Sequence, residues 1–377
     1  MECPRCHSQD NAFFYEIKGQ YYCRKCIRFQ RVFLHTERLT KKRIYPQQDV
    51  SYQLDFVLSA QQLEISHQLL TNYQQKLNSY VWAVCGSGKT EIVFEVIRYA
   101  LNQGERVCFC IPRKELVKEL YERISQAFQN IEIGILYGGH VENQEAQFIV
   151  CTMHQLAVFE NDTGFSLMIS DEVDAFPYYH DDVLEELFKK CCLGNFIQLS
   201  ATFQKEDIRD GKLLIMNRRY HGYPLPVPRV FKCPISLQKW VVLMIILMKK
   251  RWIIFVPTVQ CMKHLVHFLK HFLTCVEGVS SQSRYPHRST QHLKQHDHYI
   301  LVATTLLERG LTIQDVHVVI YQGENHIFNS RTLIQMAGRV GRKVNYETGY
   351  VFILTTTTTK DIRQCVKTIR YLNRIAV

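Results

Sequence analysis

The sequence predicts an α/β protein: two parallel-sheet domains behind a small N-terminal four-cysteine module. Three observations carry this. Cysteines stand at 3, 6, 23 and 26. Short apolar runs alternate with amphipathic stretches from about 50 to 203, and again beyond about 237. Between these blocks, Tyr223-Pro224-Leu225-Pro226-Val227-Pro228 can be neither regular helix nor central strand, because proline fixes φ and lacks the amide proton. The expected order is a zinc-finger module at 1–45, a first domain at 46–205, a linker at 206–236 and a second domain at 237–377.

In the module, Cys3-x₂-Cys6 and Cys23-x₂-Cys26 each suit a tight knuckle. Two knuckles supply four thiolates to a tetrahedral Zn²⁺. The aromatic stretch 13–22 between them reads as a hairpin turning at Lys18-Gly19-Gln20. In the first domain, strands are expected at 81–84, 107–111, 148–152, 167–170 and 196–200, with helices at 114–128 and 181–192. Strands alternating with helices imply a parallel sheet covered on both faces. In the second domain, strands are expected at 252–256, 299–303, 316–321 and 349–354. The longest apolar run, 240–248, is nine residues. A membrane span needs ~20, so this run is expected to be a core helix. The polar stretch 279–297 reads as a surface loop.

At 377 residues the chain is long enough for two cores plus a module. An apolar content of 46% excludes a disordered chain. The net charge of +11 and pI near 8.9 suit a polyanionic partner, either nucleic acid or the anionic face of a membrane. The ten remaining cysteines are scattered, several of them in apolar runs such as 107–111, as expected for buried thiols in a reducing compartment. The polar start, Met1-Glu2-Cys3-Pro4, is unlike a secretory signal. A cytoplasmic protein is expected, with peripheral contact at the inner face of the cell membrane left open.

The chemistry concentrates in a few blocks. Ala83-Val84-Cys85-Gly86-Ser87-Gly88-Lys89-Thr90 lies between a strand pattern and a helix pattern. Gly86, Ser87 and Gly88 let backbone amides close around a phosphate. Lys89 reaches the β- and γ-phosphates of ATP, and Thr90 holds Mg²⁺. Asp171-Glu172-Val173-Asp174 follows another strand, where acidic side chains enter the crevice of an open sheet. Asp171 is expected to hold Mg²⁺ and Glu172 to act as general base on water. Ser200-Ala201-Thr202 ends a further strand, and its hydroxyls suit a link between sites. Gln61 or Gln62, which the residues alone do not separate, suits an adenine edge. Arg339 and Arg342, three residues apart, are expected on one side of a helix as arginine fingers.

Together these blocks resemble superfamily 2 helicases with two RecA-like domains. The wording is more specific still. The four-cysteine finger occurs with Ile-Pro-Arg-Lys-Glu-Leu (111–116), Cys-Thr-Met-His-Gln-Leu (151–156), Asp-Glu-Val-Asp-Ala-Phe-Pro-Tyr (171–178) and Thr-Thr-Leu-Leu-Glu-Arg-Gly-Leu-Thr (304–312). That set is similar to the late-competence DNA-uptake ATPases of naturally transformable Gram-positive bacteria. The resemblance implies ATP-dependent movement on single-stranded DNA, with ATP, Mg²⁺ and Zn²⁺ bound. It implies the inner-membrane DNA-uptake channel and other competence proteins as partners. It also implies that Gln62 reads adenine and that Arg113, Thr152, His154, Thr304 and Thr305 line the DNA path. Two departures stand out: Ala83 replaces the first glycine of the generic phosphate loop, and Leu293-Lys294-Gln295-His296 stands where a Phe-Arg-x-Gly block is expected. Two other readings stay open: a primosomal-type replication-restart helicase, and a DNA-binding scaffold that ATP merely switches.

Overall fold

The structure, a computed structural model, describes residues 1–29, 31–34, 41–160, 163–174, 181–203, 205–248, 250–280, 292–293, 295–304, 315–342 and 346–375. By its internal packing the chain forms two compact units. One comprises residues 1–82 and 89–216, the other residues 83–88 and 217–377.

The first unit begins with the cysteine module. Strand Phe14–Ile17 pairs antiparallel with Gln20–Cys23, and Ile17 faces Gln20 across the turn. The turn is the pair Lys18-Gly19, both at positive φ (50° and 76°), the backbone that a two-residue hairpin requires and glycine adopts without strain. Beyond the module lies a nine-stranded sheet. Its path runs Lys212–Met216, Ser79–Ala83, Cys192–Ser200, Thr163–Asp171, Val107–Ile111, Phe148–Thr152, Ile133–Tyr137 and His140–Glu142, with Lys41–Lys42 joined to Thr163–Asp171. The strands from Ser79–Ala83 to Ile133–Tyr137 pair in parallel, and the terminal hairpin is antiparallel.

Two central strands start earlier than the sequence pattern predicts, at Thr163 and Cys192. Each is paired on both sides, and tertiary pairing extends a strand past its locally apolar stretch. Helix Ala60–Gln74 opens on a capping box, with Ser59 and Gln62 bonded reciprocally. Helix Lys114–Ala127 buries Val117, Leu120, Ile124 and Ala127 along one stripe. Cys108, Cys110, Cys151 and Cys191 are wholly buried in this core, as their apolar surroundings predict. Phe14, Phe29 and Val32 of the module continue the same apolar core through Met153, Leu156 and Phe159.

The second unit is an all-parallel six-stranded sheet. Its order is Arg229–Lys232, Val351–Thr355, Val316–Ile320, Arg251–Phe255, Tyr299–Ala303 and Val276–Val279. The four strands foreseen in sequence are its centre, where both faces are covered and apolar runs are unbroken. The two edge strands are short and carry charge or glycine, so they leave little pattern. Helix Ile235–Ile246 differs from expectation. The apolar run from 240 does form helix, but only Gln238, Val242 and Ile246 are buried. Trp240 and Met244 stay exposed. A run apolar on every side has no periodicity to say which side is inside.

Candidate nucleotide site and metal centre

The four module cysteines converge. Their sulfurs lie within 4.8 Å of one another, with Cys3–Cys26 and Cys6–Cys23 at 3.8 Å. That spacing is the edge of a tetrahedron with metal–sulfur bonds of ~2.3 Å. The knuckle closes by His7 N–H donating to Cys3 O (2.9 Å) and Cys3 N–H to Ser8 O (3.0 Å). All four side chains are buried. Hydrogen bonds from Cys26 and Cys6 hold the Cys3 thiol far below its ordinary range. The same bond pushes Cys26 up, and burial raises Cys23 to about 11. Sulfurs crowded this closely, with one poised to ionise, fit a thiophilic cation such as Zn²⁺. His7 is a surface residue, 2.9 Å from Glu2.

The module is fastened to the first sheet domain by charge. Arg5, between the first two cysteines, is buried and donates from Nε to Glu160 Oε2 at 2.7 Å. Its Nη1 donates to Phe29 O at 2.8 Å. Lys25 reaches Asp182 at 2.9 Å, and Arg28 pairs with Asp181. The Phe29 ring lies 5.4 Å from that of His154.

The nucleotide residues of the first unit gather at strand ends. Strand Cys192–Ser200 separates Ser79–Ala83 from Thr163–Asp171, and all three run the same way. Lys89 follows the first of them, Asp171 ends the third, and the Lys89 ammonium is paired with the Asp171 carboxylate. Burial works against the Lys89 charge, but the Asp171, Glu172 and Asp174 carboxylates together override it and keep the pKa above the ordinary lysine value. Glu172 holds the left-handed backbone (φ 57°), and its N–H donates to Asp171 Oδ1 at 2.6 Å. A non-glycine residue there is strained, a cost usually met only where a side chain must be aimed. Thr202 donates its hydroxyl to Asp174, which ties the acidic turn to the end of the middle strand. Thr90 precedes the short helical turn Glu91–Val93, and its hydroxyl makes no capping bond.

Gln62 is buried, and its Oε1 accepts the Ser59 N–H at 2.8 Å. Gln61 is only half-buried, so the structure separates two glutamines that sequence alone does not. Arg113 and Thr152 follow or end adjacent strands, with Ile111 opposite Thr152. His154 is instead covered by Phe29 of the module, and burial lowers its pKa. Thr304 follows strand Tyr299–Ala303, and its N–H donates to Val279 O at 3.2 Å. Thr305, like 306–312 and 175–178, lies outside the described residues.

The phosphate loop 83–88 packs within the second unit. Gly86 and Gly88 have φ of 82° and 70°, a backbone that side chains rarely adopt. A Cβ added at Gly86 would stand 3.7 Å from Arg342 Cγ and 4.0 Å from Arg219 Nε. The arginine pair departs from the expected helix. Helix Ser330–Ala337 ends at Gly338, and Gly341 is left-handed (φ 71°). Arg339 and Arg342 therefore sit in a glycine-bounded turn and not along one helical face. Arg339 is buried, and Arg342 Nε donates back to Gly338 O at 2.9 Å.

Arg219 is the residue that sequence reasoning missed. It is buried, donates from Nη1 to Gly341 O, and has no partner for Nε or Nη2 among the described residues. Burial, with the Arg342 charge adding, pushes its pKa down to about 10. A guanidinium held dry without a carboxylate is costly unless an anion visits. The only signal in sequence is a pair of arginines beside the proline-rich stretch, which no spacing rule singles out.

Comparison with known proteins agrees with this geometry. Residues 55–205 match the family described as Type III restriction enzyme, res subunit, and residues 237–344 match the helicase conserved C-terminal domain. Competence protein ComFA of Bacillus subtilis (strain 168) is 33% identical over 399 aligned residues, covering 99% of this chain and 86% of that protein. Competence protein ComFA of Streptococcus pneumoniae (strain ATCC BAA-255 / R6) is 31% identical, covering 99% and 90%. Among solved structures, S. cerevisiae Dbp5 bound to RNA and ADP BeF3 superposes with a TM-score of 0.58 at 16% identity, over 84% of this chain and 92% of that one. Mycobacterium smegmatis helicase Lhr bound to ssDNA and AMP-PNP gives 0.56 at 17%, over 84% and 50%. At such identities the structures speak for the fold alone, two RecA-like parallel-sheet domains. Aligned almost end to end with two curated relatives, the chain belongs to the ComFA family of competence proteins, helicase-like members of superfamily 2.

Proposed function

We propose that this protein is an ATP-driven motor that moves single-stranded DNA during natural transformation. The observation that carries the reading is the trio of neighbouring strand ends with Lys89 paired to Asp171 and Thr202 bonded to Asp174. An ammonium on a carboxylate is a pair that Mg·ATP exchanges for two better contacts. Lys89 takes the β- and γ-phosphates, while Asp171 and Thr90 hold Mg²⁺. When bound, Mg·ATP supplies the phosphoryl group that passes to water. Glu172 orients that water and takes its proton. Arg339 and Arg342 offset the charge that develops on the transferred group. Arg219 adds a third guanidinium beside Gly86, and Gln62 reads the adenine edge. Cys3, Cys6, Cys23 and Cys26 hold Zn²⁺.

Arg113, Thr152, His154, Thr304 and Thr305 fall in the blocks that line the DNA path, which holds the strand by its phosphates with little regard to sequence. ATP-linked changes in grip ratchet the strand inward. The partners are the inner-membrane DNA-uptake channel and other competence proteins. Among the described residues no helix is long and apolar enough to cross a membrane. The test is ATP turnover with and without single-stranded DNA. Strong stimulation, abolished by Lys89→Ala, is expected. Turnover indifferent to DNA favours an ATP-switched scaffold, and efficient separation of duplex strands favours a restart helicase.

A further inference from the structure

The last helix, Lys360–Arg374, places Lys360, Arg363, Lys367, Arg370 and Arg374 at steps of three and four residues. That spacing is one stripe along a helix, and all five residues are exposed. The opposite side, Ile362, Cys365, Ile369 and Leu372, is buried in the second unit. The helix carries one acidic residue, Asp361, which is occupied in accepting the Ser330 N–H at 2.9 Å. Alongside the stripe runs a groove of about 580 Å³, walled by Arg363, Lys367, Arg370 and Arg374 and floored by Val230 of the edge strand Arg229–Lys232. Alternation along that strand puts Lys232 on the same face as Val230. Tyr371, on the groove wall, is 52% exposed. No Asp or Glu occurs anywhere from 211 to 276, so the strand side of the groove brings no neutralising charge.

We propose that this groove is a second track for single-stranded nucleic acid, with its cations on successive phosphates and Tyr371 stacked on a base. It lies along the sheet edge, away from the strand end that carries Thr304. The inference rests on the motor reading above and adds a grip to it. A positive groove with an interleaved aromatic ring is the usual platform for single strands. The stripe spans ~21 Å, long enough to follow the backbone of a few nucleotides. A helix lying on a membrane needs a free apolar side, and here that side is spent on the domain core.

The test uses the full chain and a fluorescent oligothymidylate, titrated at several salt concentrations. The triple variant Arg363→Ala, Lys367→Ala, Arg370→Ala is expected to bind at least tenfold more weakly. Its salt slope should fall by about two, near 0.7 for each phosphate left without its cation. Affinity for a fluorescent ATP analogue should be unchanged, which also shows that the variant is folded. Tyr371→Ala should weaken binding about fivefold or more while leaving the slope alone, since stacking carries no charge. Iododeoxyuridine in the oligomer should crosslink to Tyr371. The track is overturned if the triple variant matches wild type in affinity and slope, or if it loses only binding to anionic vesicles or polyglutamate. If that happens while wild type still shows DNA-stimulated turnover, the motor reading survives without the track. A wild-type chain that binds no oligomer sinks both.

Discussion

The two units differ sharply in charge. Residues 1–216 hold 23 basic and 28 acidic residues, net −5, while residues 217–377 hold 23 and 7, net +16. The basic counts are equal, so the asymmetry is entirely one of carboxylates. On the proposed function, two of the first unit's acids, Asp171 and Glu172, serve a divalent cation and the attacking water. The second carries only seven, so its positive charge is left largely uncompensated. A protein of net charge +11 is thus an acidic half joined to a strongly basic one, and the polyanion should favour the basic half.

That division can be broken by substitution. Arg339→Ala or Arg342→Ala should lower ATP turnover by ~10³ or more, with oligothymidylate affinity within about threefold of wild type. A small loss of turnover would mean the guanidinium groups serve only the fold. Glu172→Gln should cost ~10²–10⁴ in turnover while ATP affinity persists, and equal loss of both would move Glu172 from the chemical step to binding. In the module, Arg5→Ala should destabilise by about 3–5 kcal/mol, because Glu160 is left buried without its closest partner. The paired change Arg5→Met, Glu160→Leu should recover most of that in denaturant melts. If it does not, the ion pair supplies more than charge compensation.

The smallest effect concerns pH. Burial lowers the His317 pKa to about 4, with the Lys250 charge acting in the same direction. Below the ordinary value near 6.5 the unfolded chain binds the proton more readily, so stability should be full above pH 6.5. It should fall by about 2 kcal/mol as pH drops toward 4. Melting midpoints across that window check it, and a stability that rises on acidification would contradict the burial argument.

Several features were legible in the residues because local rules govern them. Gly86 and Gly88 mark a loop by backbone conformation alone, and paired cysteines mark a ligand set by spacing. The central strands show as unbroken apolar runs because both faces are covered. Other features escaped because their causes are distant or cancel locally. Arg5 and Glu160 are 155 residues apart, and neither sits in a pattern that hints at burial. Helix Ser330–Ala337 stops at Gly338, so a three-residue interval gives no common face to Arg339 and Arg342. The apolar stretch at 240–248 is too uniform to betray its outer side. Arg219 is significant only because folding sets it beside Gly86.

Arg5 lies in the loop between Cys3 and Cys6 and bonds Glu160 of the first sheet domain, so ion binding at the proposed zinc site and the cohesion of the first unit are coupled. With Zn²⁺ in the proposed site, whatever part of the Arg5–Glu160 contact forms only in the ion-bound state adds to retention of the ion, about tenfold for each 1.4 kcal/mol. If that site holds zinc, its loss would loosen the wall carrying Thr152 and His154 as well as the finger.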